Sequence, residues 1–179
     1  NWTNWNFISS KSIYLDVGDV IQWKGVNSDG LSKDDSNYIY FEIPNEVHLS
    51  GNVMSLIDGV GKTEVIPCDN CFNSLFENTK IKTITEDFLP ATTLTKGCYS
   101  YMFFVRFNES SYLVNAPKLP AETLAPYCYT SMFSGCKSLE NAPKILPATT
   151  LAEGCYRGMF NGCTSLTAAP ALPATSLAN

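Results

Sequence analysis

Apolar positions in the C-terminal two thirds of the chain recur at a fixed interval. A Cys-aromatic pair followed three residues later by a hydrophobic-Phe pair occurs as Cys71-Phe72…Leu75-Phe76, Cys98-Tyr99…Met102-Phe103, Cys128-Tyr129…Met132-Phe133 and Cys155-Tyr156…Met159-Phe160. The cysteines lie 27, 30 and 27 residues apart. A period in this range predicts a solenoid whose units bury their apolar faces only against their neighbours. The stretch from Leu119 to Pro143 aligns almost letter for letter with that from Leu146 to Pro170. The unit from Leu89 matches with four extra residues, which places a bulging loop at 104–110. A fifth start, Leu172-Pro-Ala-Thr-Ser-Leu177, precedes Asn179, and the chain opens on Asn1-Trp2-Thr3-Asn4-Trp5. Both ends are expected to be cuts within a longer exported protein.

Inside a unit the pattern reads as helix, strand and return. Thr150-Leu-Ala-Glu153 has the form of a capping box. Leu151, Cys155 and Met159 follow at i, i+4 and i+8, with Tyr156 and Phe160 on the adjoining stripe, as on an amphipathic helix. Gly135 and Gly162 stand where a left-handed helix stop is wanted. Cys163-Thr-Ser-Leu166 is expected as a short parallel strand, and Ala-Pro…Leu-Pro-Ala as an extended return, because proline donates no ladder hydrogen bond. The expected fold class is therefore α/β: a leucine-rich-repeat-like right-handed solenoid over residues 61–179, preceded by a small β-rich, sandwich-like domain over residues 1–60. In the latter, Ser12–Asp16 and Val20–Lys24 predict a hairpin around Val17-Gly-Asp19, with further strands at Tyr38–Ile43 and Val53–Ile57. That domain is expected to cover the front of the array.

Composition narrows the function classes. Charged residues make up 16% of the chain, against about 25% in typical soluble domains, so the surface is expected to be largely Thr, Ser, Asn and Tyr. A net charge of −5 without a Lys/Arg cluster excludes the basic footprint nucleic acid demands. No apolar run approaches the roughly 18 residues of a membrane span.

Of the seven cysteines, Cys71, Cys98, Cys128 and Cys155 share one repeat position and Cys136 and Cys163 another. That predicts interior rows of free thiols packing as small hydrophobes. The alternatives are a Cys68–Cys71 disulfide, since Cys68 has no counterpart in later units, and a zinc site. One CxxC and a distant His48 supply only three zinc ligands. The acidic stretch around Asp29, Asp34 and Asp35 lacks the regular ligand spacing and closing Glu of an EF-hand loop. Trp2, Trp5 and Trp23 read either as core and interface residues or as a stacking platform for sugar.

The run Cys-Tyr-x-x-Met-Phe-x-Gly-Cys-x-Ser-Leu…Ala-Pro…Leu-Pro-Ala-Thr resembles the BspA-like leucine-rich repeats of gut Bacteroidetes surface proteins, over about residues 68–179. Residues Asp16–Asp19, Trp23–Gly25 and Ser50–Ile57 resemble the β-rich region that often precedes such arrays. Departures fall in the first units, where Thr79 stands in place of the second cysteine and the Arg106 loop displaces it. The resemblance implies an exported, cell-surface protein with adhesive or host-interaction roles, and it supplies no catalytic residues, no cofactor and no agreed ligand.

Leu-Pro-Ala-Thr-Thr and Leu-Pro-Ala-Thr-Ser look like sortase signals, but no glycine follows the threonine, and periodicity explains them better. Asn1-Trp-Thr3 and Asn108-Glu-Ser110 fit the N-glycosylation pattern, which predicts little in bacteria. A catalytic site needs a nucleophile with a base, or paired carboxylates, and no such set recurs here. The pairs free to vary, Ser100-Tyr101, Thr130-Ser131 and Arg157-Gly158, are expected to face outward, either as a contact patch or as solvated filler, and Tyr101, Arg106, Phe107, Tyr127 and Arg157 are the candidate binding residues. The expected function is a non-enzymatic adhesion or interaction scaffold for a protein or glycan on a host or microbial surface. A carbohydrate-binding component of a glycan-uptake system and a passive surface spacer are the alternatives. Nothing in the sequence sets the oligomeric state.

Overall fold

The apolar pairs four residues apart are set by a backbone that turns every four residues, not by a helix. In a computed structural model, which describes residues 13, 14, 16–32, 34 and 36–178, left-handed φ values fall on Asn70, Ser74 and Asn78 (54°, 56° and 55°). They recur on Gly154, Gly158 and Gly162 (57°, 61° and 75°) in the last unit. A left-handed residue in each turn is incompatible with a right-handed helix, which needs φ near about −60° at every residue. The amides alternate accordingly. Asn73, Leu75 and Glu77 donate three residues back, whereas Asn70, Phe72, Ser74, Phe76 and Asn78 donate to the carbonyls of Lys96, Cys98, Ser100, Met102 and Phe104 in the next unit. Gly97, Tyr99, Tyr101, Phe103 and Val105 donate onward to Pro126, Cys128, Thr130, Met132 and Ser134. Tyr127, Tyr129, Ser131, Phe133 and Gly135 do the same to Glu153, Cys155, Arg157, Met159 and Asn161.

The expected α/β leucine-rich-repeat-like solenoid is therefore not formed. Among the described residues the sole α-helix is α1, Ser55–Asp58, which lies outside the repeats. The strands are short: β1 (Val47–Leu49), β2 (Ile81–Ile84), β3 (Thr150–Leu151) and β4 (Ser176–Leu177). They form two parallel two-stranded sheets, β1–β2 and β3–β4. Most of the chain is turn and coil. Thr150 and Glu153 cap no helix: Thr150 lies in β3, its hydroxyl 3.0 Å from that of Ser176, and the Glu153 carboxylate accepts from the Tyr127 hydroxyl. Cys163–Leu166 forms a turn, and the parallel pairing falls in the Pro-flanked segment instead, with β3 on β4 and bridges Ile145–Ala171 and Asn115–Asn141. Proline spares the ladder there because the paired residues lie beyond it.

Among the described residues the sandwich-like domain is not formed either. Asp16–Asp19 closes a turn, with the Asp19 amide on the Asp16 carbonyl, but no hairpin follows. Ser12 and Leu15 of the expected first strand lie outside the described residues. Val53–Ile57 enters α1 rather than a strand, and Val26 makes an isolated bridge to Asp58. Ser32 and residues 36–43 lie instead against the first repeat. The Ser32 and Phe41 amides donate to Cys71 and Leu75 carbonyls, and the Phe41 ring stacks on Phe76 at 5.4 Å and 12°. Trp23 meets Phe41 edge-on at 5.2 Å and 63°.

What the repeats build is a succession of turn-rich coil layers with one continuous core. Phe72, Tyr99, Tyr129 and Tyr156 stack in one column at 5.6, 5.8 and 5.8 Å. Phe76, Phe103, Phe133 and Phe160 form a second at 5.7, 5.6 and 5.7 Å, near-parallel throughout. Each pair adds about 0.5–1.5 kcal/mol beyond its area burial. Cys71, Cys98, Cys128 and Cys155 are buried in the same core, and all seven cysteines are free, Cys68 and Cys71 included. Cys136 and Cys163 donate their thiols to the Phe103 and Phe133 carbonyls of the preceding layer, at 3.2 and 3.1 Å.

Candidate functional site

The register that aligns the core also aligns the outward residues. Asn70, Gly97, Tyr127 and Gly154 occupy equivalent positions in successive layers, as do Ser74, Tyr101, Ser131 and Gly158, and all eight have left-handed φ. Glycine takes this conformation without penalty; for a bulky residue it is an outlier that costs about 1–2 kcal/mol. Tyr101 (φ 55°) and Tyr127 (φ 57°) hold it nonetheless.

Around these two tyrosines the structure places the candidate residues in three local groups. The Tyr101 ring is exposed and meets Phe104 edge-on at 5.6 Å and 86°. The Tyr127 hydroxyl donates to Glu153, and its ring lies over Gly154, where a Cβ would strike it. Its acceptor Glu153 holds the phenol above the usual range, helped by burial, while the charge of exposed Arg157 opposes the shift. The third group is the inserted turn. Arg106 anchors it, its amide on Asn78 Oδ1 at 2.8 Å and its guanidinium on Glu77 at 3.2 Å. Phe107 is 86% exposed, with the Lys137 ammonium 5.1 Å from its ring centre and donating to its carbonyl at 2.8 Å. Residues 106–110 are all exposed, so the four extra residues do leave the stack, starting at Arg106 rather than Phe104. The Asn78 amide donates to the Phe104 carbonyl, so the inserted turn and the Tyr101 group meet through the main chain.

Glu77 and Lys137 were not singled out from sequence, Phe104 only as the start of a loop and Glu153 only as a helix cap, while Ser100 and Thr130, expected to face outward, are buried. Of the partners, Glu77, Lys137 and Glu153 lie one unit from the residue they hold, and only the register reveals them. Asp58 was also missed. Its carboxylate accepts from the amides of Val60, Gly61, Lys62 and Thr63 at 2.5–2.8 Å. Desolvation raises its pKa, but these four bonds prevail and hold it at about 2. The Gly-rich turn Gly59–Thr63 thus converges its amides on an anion that the chain itself supplies.

Other candidates are disposed of locally. Trp23 is half-buried against the core, whereas Trp2, Trp5 and the Asn1–Thr3 pattern lie outside the described residues. Asp34 Oδ1 accepts from the Ser36 and Asn37 amides, closing its own turn; Asp35 is not described. His48, exposed on β1, lies 2.6 Å from Thr83 Oγ1 on β2. Two open hollows, about 350 Å³ at Lys24–Val26 with Asp58–Val60 and about 280 Å³ at Thr92–Leu94 with Thr123 and Leu124, hold no paired carboxylates or nucleophile–base pair. Among the described residues no cluster of three or more His, Cys, Asp or Glu converges as metal ligands would, and no helix is long and apolar enough to cross a membrane. Comparison of the chain with protein-family models, curated proteins and solved structures finds no match.

Proposed function

We propose that the chain is a non-enzymatic interaction scaffold, displayed at a bacterial surface, that binds a protein partner through the side chains projecting from its layers. The observation that carries this reading is the pair Tyr101 and Tyr127. At their positions other layers carry Gly, Ser or Asn, and a bulky aromatic at left-handed φ costs stability, while Tyr101 still leaves 40% of its surface to solvent. Backbone strain kept at aromatic positions that are exposed (Tyr101) or half-buried (Tyr127) is an arrangement suited to recognition, where tyrosine contributes large contact area at low conformational entropy cost. Phe107, 86% exposed over Lys137, adds a second anchor on the same array.

The test uses Tyr101→Gly and Tyr127→Gly, which relieve strain, alongside Phe107→Ser on the exposed turn. The full chain is passed over immobilised purified matrix and mucin proteins and, separately, over a glycan array. The expected result is saturable binding to a protein that falls at least about tenfold in one or more variants, while their thermal stability is unchanged or higher. Binding that all three variants retain refutes the assignment of these residues. A signal on glycans alone supports the carbohydrate reading, and none on either surface leaves a passive spacer.

A further inference from the structure

In three units a turn ends at the cysteine beside the aromatic column. The amides of Cys98, Cys128 and Cys155 donate to the carbonyls of Thr95, Ala125 and Ala152, three residues back, at 3.3, 3.3 and 3.2 Å. In the first unit the residue at the start of this turn is Cys68. Residues 69–71 are again turn, with Asn70 at φ 54°. A turn of this kind keeps its first and fourth Cα within about 7 Å, and a disulfide takes up about 4.4–6.8 Å between them. The turn is also held from both sides. The Cys68 carbonyl accepts from Thr95 Oγ1 at 2.5 Å, the Asn70 amide donates to the Lys96 carbonyl at 2.9 Å, and the Ser32 amide donates to the Cys71 carbonyl at 3.2 Å. Both sulfurs lie against Gly30, where an added Cβ would stand 2.1 Å from Cys68 Sγ and 3.2 Å from Cys71 Sγ. Only one of the two is within reach of solvent. Cys68 is half-buried, its thiol donating to the Ser32 carbonyl at 3.5 Å, whereas Cys71 is fully buried.

We infer that Cys68 and Cys71 are an oxidation site, at which a disulfide reagent entering at Cys68 leaves the turn closed by a Cys68–Cys71 bridge. The Cys68 thiolate attacks the reagent's S–S bond, which breaks to give a mixed disulfide and one released thiolate. The Cys71 thiolate then attacks Cys68 Sγ, forming the internal S–S bond and expelling the second thiolate. The pair gives up two electrons and two protons, and the reagent departs as two thiols. Chemistry is confined to this turn because the other five cysteines are at most 8% exposed, and Cys98, Cys128 and Cys155 have Thr or Ala, not Cys, three residues back. Bridging also removes the thiol donor from the Ser32 carbonyl, one of the contacts that hold residues 30–32 on the first layer. The inference does not rest on Tyr101 or Tyr127.

The test incubates the reduced, folded full chain with glutathione disulfide, blocks the remaining thiols with iodoacetamide in denaturant, and maps the peptides by mass spectrometry. The expected result is a Cys68–Cys71 bridge, seen as the loss of two hydrogens, with the other five cysteines alkylated. Cys71→Ala should stop at a lasting mixed disulfide between Cys68 and glutathione, and Cys68→Ala should take up glutathione at least about tenfold more slowly than Cys71→Ala. Circular dichroism checks that both variants fold, and the wild-type map decides the matter even where one does not. A wild-type chain that stays reduced overturns the inference, as does one that halts at the mixed disulfide. Bridging of Cys71 to Cys98, or of any other pair, overturns it too, and so does uptake by Cys68→Ala as fast as by Cys71→Ala.

Discussion

Tyr99→Phe should stabilise this protein. The Tyr99 ring is 1% exposed and sits between Phe72, at 5.6 Å and 9°, and Tyr129, at 5.8 Å and 6°. Its hydroxyl is buried without a hydrogen-bond partner. Burial, with smaller contributions from Cys98 and Cys71, pushes the phenol well above its ordinary range, so it remains neutral. An unsatisfied buried hydroxyl costs about 1–3 kcal/mol in lost hydration. Removing the oxygen leaves a void whose cost, at about 24 cal/mol per Å³ for roughly 10–15 Å³, is about 0.3 kcal/mol. The stacked ring, which carries the packing energy, is retained, and the first layer already places a phenylalanine at this position of the column, as Phe72. The net expectation is a gain of about 1 kcal/mol, or about 2–4 °C in Tm for a chain of this size. Equilibrium urea unfolding measures it, with an unchanged m-value required for the comparison to hold. Tyr99→Ala calibrates the opposite sign, since losing the ring from the column costs about 3–5 kcal/mol. A loss of more than about 0.5 kcal/mol in Tyr99→Phe would show that the hydroxyl is satisfied in solution, and the reasoning would fail.

Gly135→Ala should destabilise by at least about 2 kcal/mol in thermal unfolding, because φ is +81° and the new Cβ would be driven into the Val105 carbonyl. Gly51→Ala, also left-handed but with nothing within 4 Å of the added Cβ, should cost only the backbone strain of about 1 kcal/mol. The folded-state pKa of Asp58 is depressed from 3.8 to about 2. Its contribution is therefore present above about pH 4 and is lost as pH falls through about 2; Asp58→Asn should remove about 1 kcal/mol at neutral pH, after discount for exposure, and flatten the acid limb of a stability–pH curve in that window. Native thiol labelling at pH 8 should modify half-exposed Cys68 first. Burial pushes Cys71 and Cys128 up to about 12 and raises Cys98 and Cys136 as well, so all four should label only at the rate of unfolding.

The repeat and its buried residues were legible in the sequence because packing imposes them. Cys98, Tyr99, Met102 and Phe103 recur with little variation at equivalent core positions. The local conformation was not, because Leu151, Cys155 and Met159 at four-residue spacing satisfy both a helix and a chain of four-residue turns. Gly154, Gly158 and Gly162 carry a signal that separates the two, since glycine at each fourth residue is costly in a helix and free at left-handed φ. In the other layers Ser74, Tyr101, Tyr127 and Ser131 hide it by adopting the same φ without being glycine. Alternation in Tyr38–Ile43 signalled extended chain, but its partner, Leu75, is set by tertiary docking rather than by a neighbouring strand. The exposure of Tyr101 and Phe107 followed from the pattern, whereas Lys137 and Glu153 act across layers and depend on register.

The same register explains why variation is tolerated where it occurs. In the layers from Asn70, Gly97 and Tyr127 every second amide is committed to a neighbour's carbonyl and the intervening ones to a carbonyl three residues back. The backbone is thus satisfied whatever side chain stands at the left-handed positions, so long as it endures the φ. Tyr101 and Tyr127 can therefore replace glycine at a local cost that does not spread to the columns beneath, where Tyr99, Met102, Tyr129 and Met132 remain at or below 1% exposure. A strained, solvent-facing aromatic set above a core that varies little between layers is energetically separable from the fold. Substituting it is then expected to alter what the surface contacts before it alters whether the chain folds.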